Sequence, residues 1–295
     1  MQQLKKKTVS STVSKVQTTG RDVVQVVQAS ATSDGAGVKL YRSLGGPHLP
    51  ELDPFLMLDE FRSDDANDYI AGFPDHPHRG FETVTYMLAG AMRHRDSVGN
   101  EGHLRAGGVQ WMTAGRGIIH SEMPEQENGL MWGFQLWVNL PAKHKMTQPR
   151  YQDLDAADIP QITLPGGVMR LIAGDAGGPT GAVKDIVTEP LMLDITLSAD
   201  CGHIQTIPEG HNAFVYVFEG KGLFGKSSQK LAQSQLGVLN QTGDQLKIAT
   251  DSGVRFLLLA GKPIGEPIAR RGPFVMNTEQ EVYQAFLDFQ TGEFT

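Results

Sequence analysis

Two stretches of this chain, 130 residues apart, share one pattern: an apolar, β-branched and aromatic run that ends at a glycine. The first run spans 83–90 and the second spans 214–220, and the 130-residue shift places Tyr86 on Tyr216. Short strands between glycine turns are typical of a β-sandwich or a barrel. The repeat therefore predicts two copies of one barrel, which also accounts for the length of the chain.

The division of the chain follows from this repeat. A polar stretch with prolines at both ends, 149–165, separates the two copies, and 295 residues suit two domains of ordinary size. We therefore expect a flexible basic tail over 1–20, an N-terminal barrel over 21–150 and a C-terminal barrel over 151–295.

One helix is predicted near the end of the chain. Thr278 can cap its N-terminus, and Glu281 stands where it completes a capping box. Val282, Phe286 and Phe289 then recur at helical spacing, which gives this helix an apolar face for packing.

Composition excludes several classes of protein. Apolar residues make up 40% of the chain and charged residues 20%, which is typical of a globular protein with a sizeable core. We find no apolar run near the roughly 20 residues that span a bilayer, and the basic N-terminus lacks the apolar segment of a secretory signal. The single cysteine, Cys201, fits a reducing compartment, so we expect a cytoplasmic protein.

The distribution of charge along the chain indicates which kinds of partner it can bind. The formal net charge is −7, and five basic groups but no acid lie in 1–21, so the remaining residues carry −12. An acidic body disfavours direct binding to nucleic acid. We therefore expect neither a nucleic acid nor a membrane as partner, and interpret the basic tail as a solvated terminus.

Two short motifs carry the chemistry. In DHPHRGFE, His76 and His78 stand two residues apart, and in GRGIIHSE, His120 and Glu122 have the same spacing. Successive side chains of a strand alternate between its faces, so the members of each pair point the same way. If the two segments are neighbouring strands of one barrel, three imidazoles and one carboxylate converge.

These four side chains predict a site for one transition-metal ion. Without a thiolate, the set suits Fe(II), Mn(II), Ni(II), Cu(II) or Zn(II). Four protein ligands in an octahedral field leave two positions for water, dioxygen or a chelating substrate. A single histidine on a strand is usually structural and an isolated His-x-His pair is weak evidence, but the two motifs together favour a metal site.

Three nearby residues have more than one interpretation. Glu82 shares parity with His76 and His78, so it is either an alternative ligand or an acceptor for a ligand imidazole. His94 and His103 fall in a stretch expected to be rich in loops. We interpret both as polar surface or hydrogen-bonding residues, and His103 also as a candidate neighbour of a ligand.

The second copy provides an internal comparison. Thr206 and Pro208 stand where the 130-residue shift places His76 and His78, and 237–261 contains no His-x-Glu pair. We therefore expect the C-terminal barrel to be free of metal and to serve in packing or as a surface for partners.

The motifs and their flanks resemble the pirin family of the cupin superfamily. The similarity lies in DHPHRGFETVTYMLAG (75–90), HRDSVGNEGHLRAGGVQWMTAGRGIIHSEMP (94–124), LDPFLMLDEF (52–61), GFQLWVNLPAKHKMTQPRYQ (133–152) and RRGPFVMNTEQEVYQAF (270–286). It covers nearly the whole chain after residue 21. The resemblance implies an all-β fold of two tandem cupin barrels (double-stranded β-helices, or jelly rolls) with short helices, including a C-terminal one, and a metal in the N-terminal barrel.

The resemblance also implies a ligand set. Carried over residue by residue, the family's metal ligands fall on His76, His78, His120 and Glu122. The general cupin pattern takes its carboxylate from the first motif, where Glu82 stands, whereas the pirin pattern takes it from the second. The resemblance therefore implies Glu122 as the carboxylate ligand, and it leaves Glu82 to contact a ligand residue and not the metal. It makes Fe(II) the first choice of metal, with Mn, Ni, Cu and Zn as alternatives.

Two classes of function are implied. The preferred one is a quercetin 2,3-dioxygenase-like oxidoreductase, whose substrates are a flavonol and dioxygen and in which Glu122 is the catalytic residue that accepts the 3-hydroxyl proton. The other is a non-catalytic, redox-sensitive regulator that binds a transcription factor or a metabolic enzyme. An open apolar cleft above the metal favours the enzyme, and we expect Phe73, Met112, Ile118 or aromatic residues of 132–138 beside it.

Overall fold

Strands dominate the structure, as the apolar runs between glycine turns predict. The computed structural model describes residues 20–126 and 128–295, and within them it contains 23 strands, one α-helix and two 3₁₀ turns. The predicted all-β class with short helices is confirmed. Within this part of the chain no helix is both long enough and apolar enough to cross a membrane.

The elements follow one another in two series. The first series comprises β1 (Val23–Gln28), β2 (Ser30–Asp34), β3 (Val38–Leu44), β4 (Phe55–Ser63), β5 (Phe73–His78), β6 (Phe81–Ala89), β7 (Ala91–Asp96), β8 (Glu101–Arg105), β9 (Val109–Thr113), β10 (Ile118–Pro124), β11 (Met131–Asn139) and β12 (Arg150–Leu154), with 3₁₀ turns at Ala66–Asp68 and Ala142–His144. The second series comprises β13 (Gln161–Leu164), β14 (Gly167–Ala173), β15 (Leu191–Leu197), β16 (Cys201–Thr206), β17 (Asn212–Phe224), β18 (Gln229–Ala232), β19 (Gln235–Leu239), β20 (Gln245–Thr250), β21 (Val254–Gly261), β22 (Ala269–Arg271), β23 (Phe274–Met276) and α1 (Glu279–Thr291).

The first barrel is built from two antiparallel sheets. The larger has the strand order β12-β9-β6-β11-β4-β3-β2, and the smaller has the order β5-β10-β7-β8. Leu40 and Phe61 of the larger sheet share a buried cluster with Met92 and Leu104 of the smaller one. The two sheets therefore face each other across a common interior, and both ligand motifs lie on the smaller sheet, on β5 and β10.

The second barrel forms around the long strand β17. Its sheet has the order β1-β19-β17-β21-β15-β14-β13, and β16, β18 and β20 join it through β17 and β20. Residues 213–217 of β17 pair with β19, whereas Leu223 and Phe224 pair with β20. One strand thus runs from one side of the barrel to the other. Its side chains Val215 and Phe224 are buried in the interior with Phe256.

A large apolar cluster joins the two barrels. It contains Phe55 and Phe134 from the first barrel and Phe214 and Phe218 from the second, all of them buried. The rings meet edge to face, with centroid separations of 5.2 Å for Phe55–Phe214 and 5.1 Å for Phe134–Phe218. Aromatic pairs of this geometry stabilise an interface beyond their buried area. The central sheets of the barrels therefore pack face to face.

The repeat seen in the sequence has a structural counterpart at this interface. Tyr86 of β6 donates a hydrogen bond to Asp194 of β15, and Tyr216 of β17 donates one to Glu60 of β4, each at 2.6 Å. Each barrel thus supplies a phenol to a buried carboxylate of the other. Burial raises the pKa of Glu60, while the donors Tyr216 and Trp132 act in the opposite direction.

The N-terminal end of the described chain packs on the second barrel, and the C-terminal end packs on the first. At the N-terminal end, β1 pairs with β19 of the second barrel. At the C-terminal end, the hairpin β22–β23 with α1, which we call the C-terminal arm (269–295), lies on the first barrel. The backbone of Arg79 donates to the Pro273 carbonyl and accepts from the Val275 amide. The arm thereby reaches the strand that carries two of the metal-ligand candidates.

Two parts of the predicted division stay predictions. Residues 1–19 of the expected basic tail lie outside the described residues. For the boundary at 150/151, we note that β12 still pairs with β9 of the first barrel, while β13 pairs with β14 of the second. We propose that the two domains meet in the turn between Leu154 and Gln161.

The predicted C-terminal helix is confirmed. Thr278 caps α1, and its hydroxyl accepts from the Glu281 amide while the Glu281 carboxylate accepts from the Thr278 amide. Val282 is buried, and Phe286 packs beside it against the hairpin. Phe289 remains 39% exposed although it contacts Phe294. The apolar face therefore holds α1 on the first barrel chiefly through its first two turns.

Candidate metal centre

Three histidines converge on one point of the smaller sheet. Strands β5 and β10 are antiparallel neighbours, with His120 opposite His76 and Ile118 opposite His78. His76 and His78 share a face because they are two residues apart. The ring centroids lie 4.4 Å apart for His76–His120, 4.6 Å for His76–His78 and 5.1 Å for His78–His120. Ligand nitrogens from all three rings fall within 4.8 Å of one another, as two adjacent strands with this spacing predict.

Burial keeps two of these imidazoles, those of His78 and His120, neutral. It lowers the pKa of His78 and His120 well below the usual value, and the neighbouring histidines lower both pKa values further. The neutral imidazole is the form that binds a metal ion. Within the described chain, both ring nitrogens of His120 are buried without a hydrogen-bond partner. Buried polar atoms are rarely left unpaired in proteins, so these residues fit a metal ion.

His76 is oriented by its own strand. Its Nδ1 lies 2.8 Å from the carbonyl oxygen of Pro74, and because a carbonyl can only accept, this nitrogen carries the proton. The other nitrogen, Nε2, is then free of hydrogen and lies 3.0 Å from Nε2 of His78. A backbone acceptor on the far ring nitrogen is the usual way in which proteins fix the tautomer of a metal-binding histidine.

Glu122 lies beside this cluster, where it is buried and hydrogen-bonded. It is 3% exposed, lines the same cavity as His76 and His78, and keeps its backbone on β10 two residues after His120. Thr85 donates to its Oε1 at 2.7 Å and Gln135 Nε2 donates to its Oε2 at 3.0 Å. The Thr85 hydroxyl also lies 2.7 Å from Gln135 Oε1, so its one proton is shared between two acceptors. Its oxygens are outside the compact group that the three imidazoles form. The structure therefore brings the three imidazoles together and leaves Glu122 next to them.

The expectation that Glu82 reaches this cavity is wrong. The turn at Gly80, with φ +88°, separates β5 from β6 and resets the alternation of faces. Glu82 lies opposite Thr113, whose hydroxyl donates to its Oε1 at 2.6 Å. It shares a face of β6 with Tyr86, which points into the interface between the barrels, whereas Thr85 points toward Glu122. Burial raises the pKa of Glu82.

Glycine turns fix the two ligand strands relative to each other. The amide of Gly80 donates to the carbonyl of Gly115 at 2.8 Å, which ties the end of β5 to the loop before β10. A Cβ at Gly80 would collide with the Val275 carbonyl, and a Cβ at Gly117 would collide with the Phe294 carbonyl. Both glycines also have positive φ values. The motifs therefore need glycine for close approach as well as for backbone conformation.

A cavity of about 620 Å³ opens beside the histidines, a volume within the range of small-molecule sites. Phe73 and Trp137 line it, as expected. Met112 and Ile118 do not line it, because both are fully buried in a separate cluster with Ala114. Further apolar lining comes from strands that the sequence did not single out: Leu40, Met57 and Phe61.

Sequence reasoning missed the part of the wall that the C-terminal arm contributes. Arg270, Gly272 and Pro273 line the cavity, although nearly 200 residues separate them from the first motif. The ion pair of Arg79 with Asp288 of α1, at 2.5 Å, anchors the arm. The only available signal was the family resemblance of the stretch RRGPF.

Comparison with known proteins gives the family. The model of the pirin family, Pirin, matches residues 37–138, and the model of the Pirin C-terminal cupin domain matches residues 192–295. The chain belongs to the pirin family. A pirin-like protein of Caulobacter vibrioides is 48% identical over 276 residues, which are 93% of this chain and 99% of that protein. A protein of Pseudomonas aeruginosa, provisionally named a quercetin 2,3-dioxygenase, is 50% identical over 278 residues, which are 92% of this chain and 97% of that protein.

Solved structures share the fold of this pirin. The crystal structure of quercetin 2,3-dioxygenase from Acinetobacter baumannii matches with a TM-score of 0.86 and 35% identity, over 93% of this chain and 98% of that one. The bacterial pirin YhhW from Escherichia coli, in complex with nickel(II), matches with a TM-score of 0.65 and 20% identity, over 81% of this chain and 98% of that one. The implied fold of two cupin barrels is confirmed.

Proposed function

We propose that this pirin is a metal-dependent enzyme of the quercetin 2,3-dioxygenase type. It binds one transition-metal ion through His76, His78, His120 and Glu122, with Fe(II) as the first choice and Mn, Ni, Cu and Zn as alternatives. The observation that carries the proposal is the convergence of three imidazoles, two of which, His76 and His78, line a cavity of about 620 Å³. The 35% identical structure from Acinetobacter baumannii, which bears that activity as its name, supports it.

The bound ion would supply Lewis acidity for a chelating hydroxyketone and for dioxygen. The three imidazoles hold it as neutral donors, which leaves its positive charge to be balanced by one carboxylate. The His-rich set without thiolates is compatible with each of the five metals named above. Metal content after expression therefore has to be measured before activity is compared.

Glu122 has the chemistry of a ligand and of a proton acceptor. Thr85 and Gln135 each donate to one of its oxygens, and a carboxylate has about four acceptor sites in total. One site on each oxygen thus remains for the ion or for the 3-hydroxyl proton of a flavonol. The two donors also fix the orientation of the carboxylate, so that it stays directed at the cavity when the proton moves.

The cavity walls suit a flat aromatic substrate. Phe73 lies on β5, the strand that carries His76 and His78, and Trp137 lies on β11 of the larger sheet. Both side chains line the cavity beside His78. The Trp137 ring lies 5.2 Å from the His78 ring. Such a surface binds an apolar ring system while few polar groups fix its orientation. A purely regulatory pirin needs no cavity of this size at its metal, so the cavity favours the enzyme over the regulator.

A metal analysis combined with oxygen uptake tests this proposal. Wild type and Glu122→Gln, each loaded with Fe(II), are given quercetin, and oxygen consumption and carbon monoxide release are recorded. We expect turnover in the wild type and a loss of roughly 10²- to 10⁴-fold in kcat for the variant, the usual contribution of a positioned base. His103→Ala is the control, because His103 lies on the outer strand β8 and pairs there with Glu125, outside the cavity lining. A fully loaded wild type that consumes no oxygen with quercetin contradicts the proposal.

A further inference from the structure

Arg270 places a guanidinium group on the cavity wall next to the metal-ligand candidates. It belongs to β22 of the C-terminal arm, and its Cζ stacks 4.7 Å from the centre of the Trp137 ring. The Trp137 ring in turn lies 5.2 Å from the His78 ring. A single indole therefore separates the guanidinium from the candidate metal centre, and both groups border the same cavity.

The two arginines of this cavity differ in their partners. Arg42 is bound by Asp59 through two hydrogen bonds of 2.8 and 2.7 Å, and by Asp34 at 3.0 Å. Arg270 forms no ion pair with the described residues, and its Nη1 donates to the Leu56 carbonyl at 3.2 Å. Since a guanidinium has five N–H donors, several donors of Arg270 remain for a molecule in the cavity.

The charge of the cavity restricts what such a molecule can be. The lining carries two arginines against four carboxylates, which are Asp34, Asp59, Asp75 and Glu122. A divalent ion at neutral histidines would bring this formal charge to zero. A neutral site disfavours a ligand with fixed negative charge, and it accepts a weakly acidic hydroxyl that gains charge beside an arginine.

We propose that Arg270 determines specificity by binding a phenolic oxygen on the part of the substrate remote from its chelating oxygens. The substrate class is then a polyphenol, namely a flat hydroxyketone that carries a further acidic hydroxyl, rather than any chelating hydroxyketone. The inference rests on the proposed function in one respect, because it places the chelating end of the substrate at His76, His78 and His120. Trp137 contacts both groups, with the Arg270 guanidinium over its face and the His78 ring steeply inclined to it.

Binding of two probes to the metal-loaded full chain, without oxygen, tests the inference. Quercetin carries chelating oxygens and remote phenolic hydroxyls, whereas 3-hydroxyflavone carries the chelating oxygens alone. In Arg270→Met we expect the Kd of quercetin, followed by its absorption band, to rise roughly 10- to 100-fold, the effect of losing one charge-assisted hydrogen bond. The Kd of 3-hydroxyflavone should stay within about twofold of the wild type.

Arg62→Met is the matched control, because Arg62 also stacks on a tryptophan of β11, with its Cζ 3.9 Å from the Trp132 ring, but lies outside the cavity. It should leave both Kd values unchanged. Arg270→Lys, which keeps a charge but loses the planar donors, serves if Arg270→Met unfolds, and it should also weaken quercetin selectively. Equal weakening of both probes, or no weakening, overturns the inference.

The two proposals fail in different ways. Selective weakening of quercetin without any turnover by the wild type contradicts the dioxygenase and leaves the role of Arg270 intact. Turnover by the wild type with equal effects of Arg270→Met on both probes contradicts the role of Arg270 and leaves the dioxygenase intact.

Discussion

The hydrogen bond from Thr85 to Glu122 offers a sharp test of how the carboxylate is prepared for the metal. Thr85→Val removes the hydroxyl while it keeps the shape of the side chain. The lost bond is 2.7 Å long, and both of its side chains are buried. Buried hydrogen bonds to a charged group contribute about 1.5–3 kcal/mol. The Thr85 proton is shared with Gln135 Oε1 at 2.7 Å, and Gln135 still donates to the other oxygen of Glu122. We therefore expect an effect in the lower part of that range.

In terms of affinity, this loss corresponds to roughly 10- to 30-fold weaker metal binding. That is the lower part of the range that loss of a hydrogen-bond partner of a metal ligand usually causes. Competition titration against a chelator of known affinity measures it, with Co(II) as the reporting metal. We expect the thermal midpoint of the metal-free protein to fall as well, because the hydrogen bond is buried in the folded chain and contributes to its stability.

Thr83→Val is the matched control. Thr83 is buried on the same face of β6, two residues before Thr85, and lies opposite Met112 and Trp137 in the neighbouring strands. It should retain the affinity of the wild type. If Thr85→Val binds metal as tightly as the wild type, or if Thr83→Val loses as much, the reasoning that Glu122 is a prepared ligand is refuted.

Three further predictions concern stability. Gly80→Ala should lower the free energy of unfolding by several kcal/mol, since φ is positive there and the new Cβ meets the Val275 carbonyl. Gly99→Ala, at a similarly positive φ but in open space, should lower it by about 1 kcal/mol. Equal losses of the two variants in urea unfolding would contradict this prediction. Arg79→Met breaks the 2.5 Å ion pair with Asp288 of α1, so it should lower the free energy of unfolding by about 3 kcal/mol and expose the C-terminal arm to proteolysis. An arm as resistant to protease as that of the wild type would contradict the role of this ion pair. Burial lowers the pKa of Lys145 to about 8, so the unfolded chain binds this proton more tightly than the folded chain. The free energy of unfolding should therefore rise between about pH 8 and pH 10, by up to roughly 3 kcal/mol relative to Lys145→Met. Parallel pH profiles of the two proteins would refute this prediction.

The cluster of three histidines was predictable from the sequence because it depends on local rules. Two residues that stand two apart in a strand share a face whatever the rest of the fold does. His76, His78 and His120 needed one further condition, that β5 and β10 be neighbours, and the register places His120 opposite His76. The helix α1 was predictable for the same reason, since its capping box and its spacing lie within one short segment.

The failures have different physical causes, and the first depends on where the chain turns. Counting parity from His78 to Glu82 ignores the left-handed turn at Gly80, which sends the carboxylate to the other face. The stretch expected to be rich in loops instead forms β7 and β8, which carry His94 and His103. In that stretch polar side chains mask the strand period, because one face of the sheet is solvated.

Arg270 is the clearest case of a residue that local reasoning could not place. It joins the cavity because the C-terminal arm returns to the first barrel, where Arg79 pairs with Asp288 and Lys145 donates to the Val275 carbonyl at 2.9 Å. Contacts over such sequence distances leave no periodic trace in the sequence. The structure is therefore needed to see that the second half of the chain completes the cavity of the first barrel.

Anomalous diffraction from crystals of the metal-loaded protein tests the central claim most directly, because it locates the ion without reference to activity. We expect one peak at about 2.0–2.3 Å from a nitrogen of each of His76, His78 and His120 and from an oxygen of Glu122. A peak that lies elsewhere, or one at the three histidines with both oxygens of Glu122 beyond coordination distance, would contradict the account.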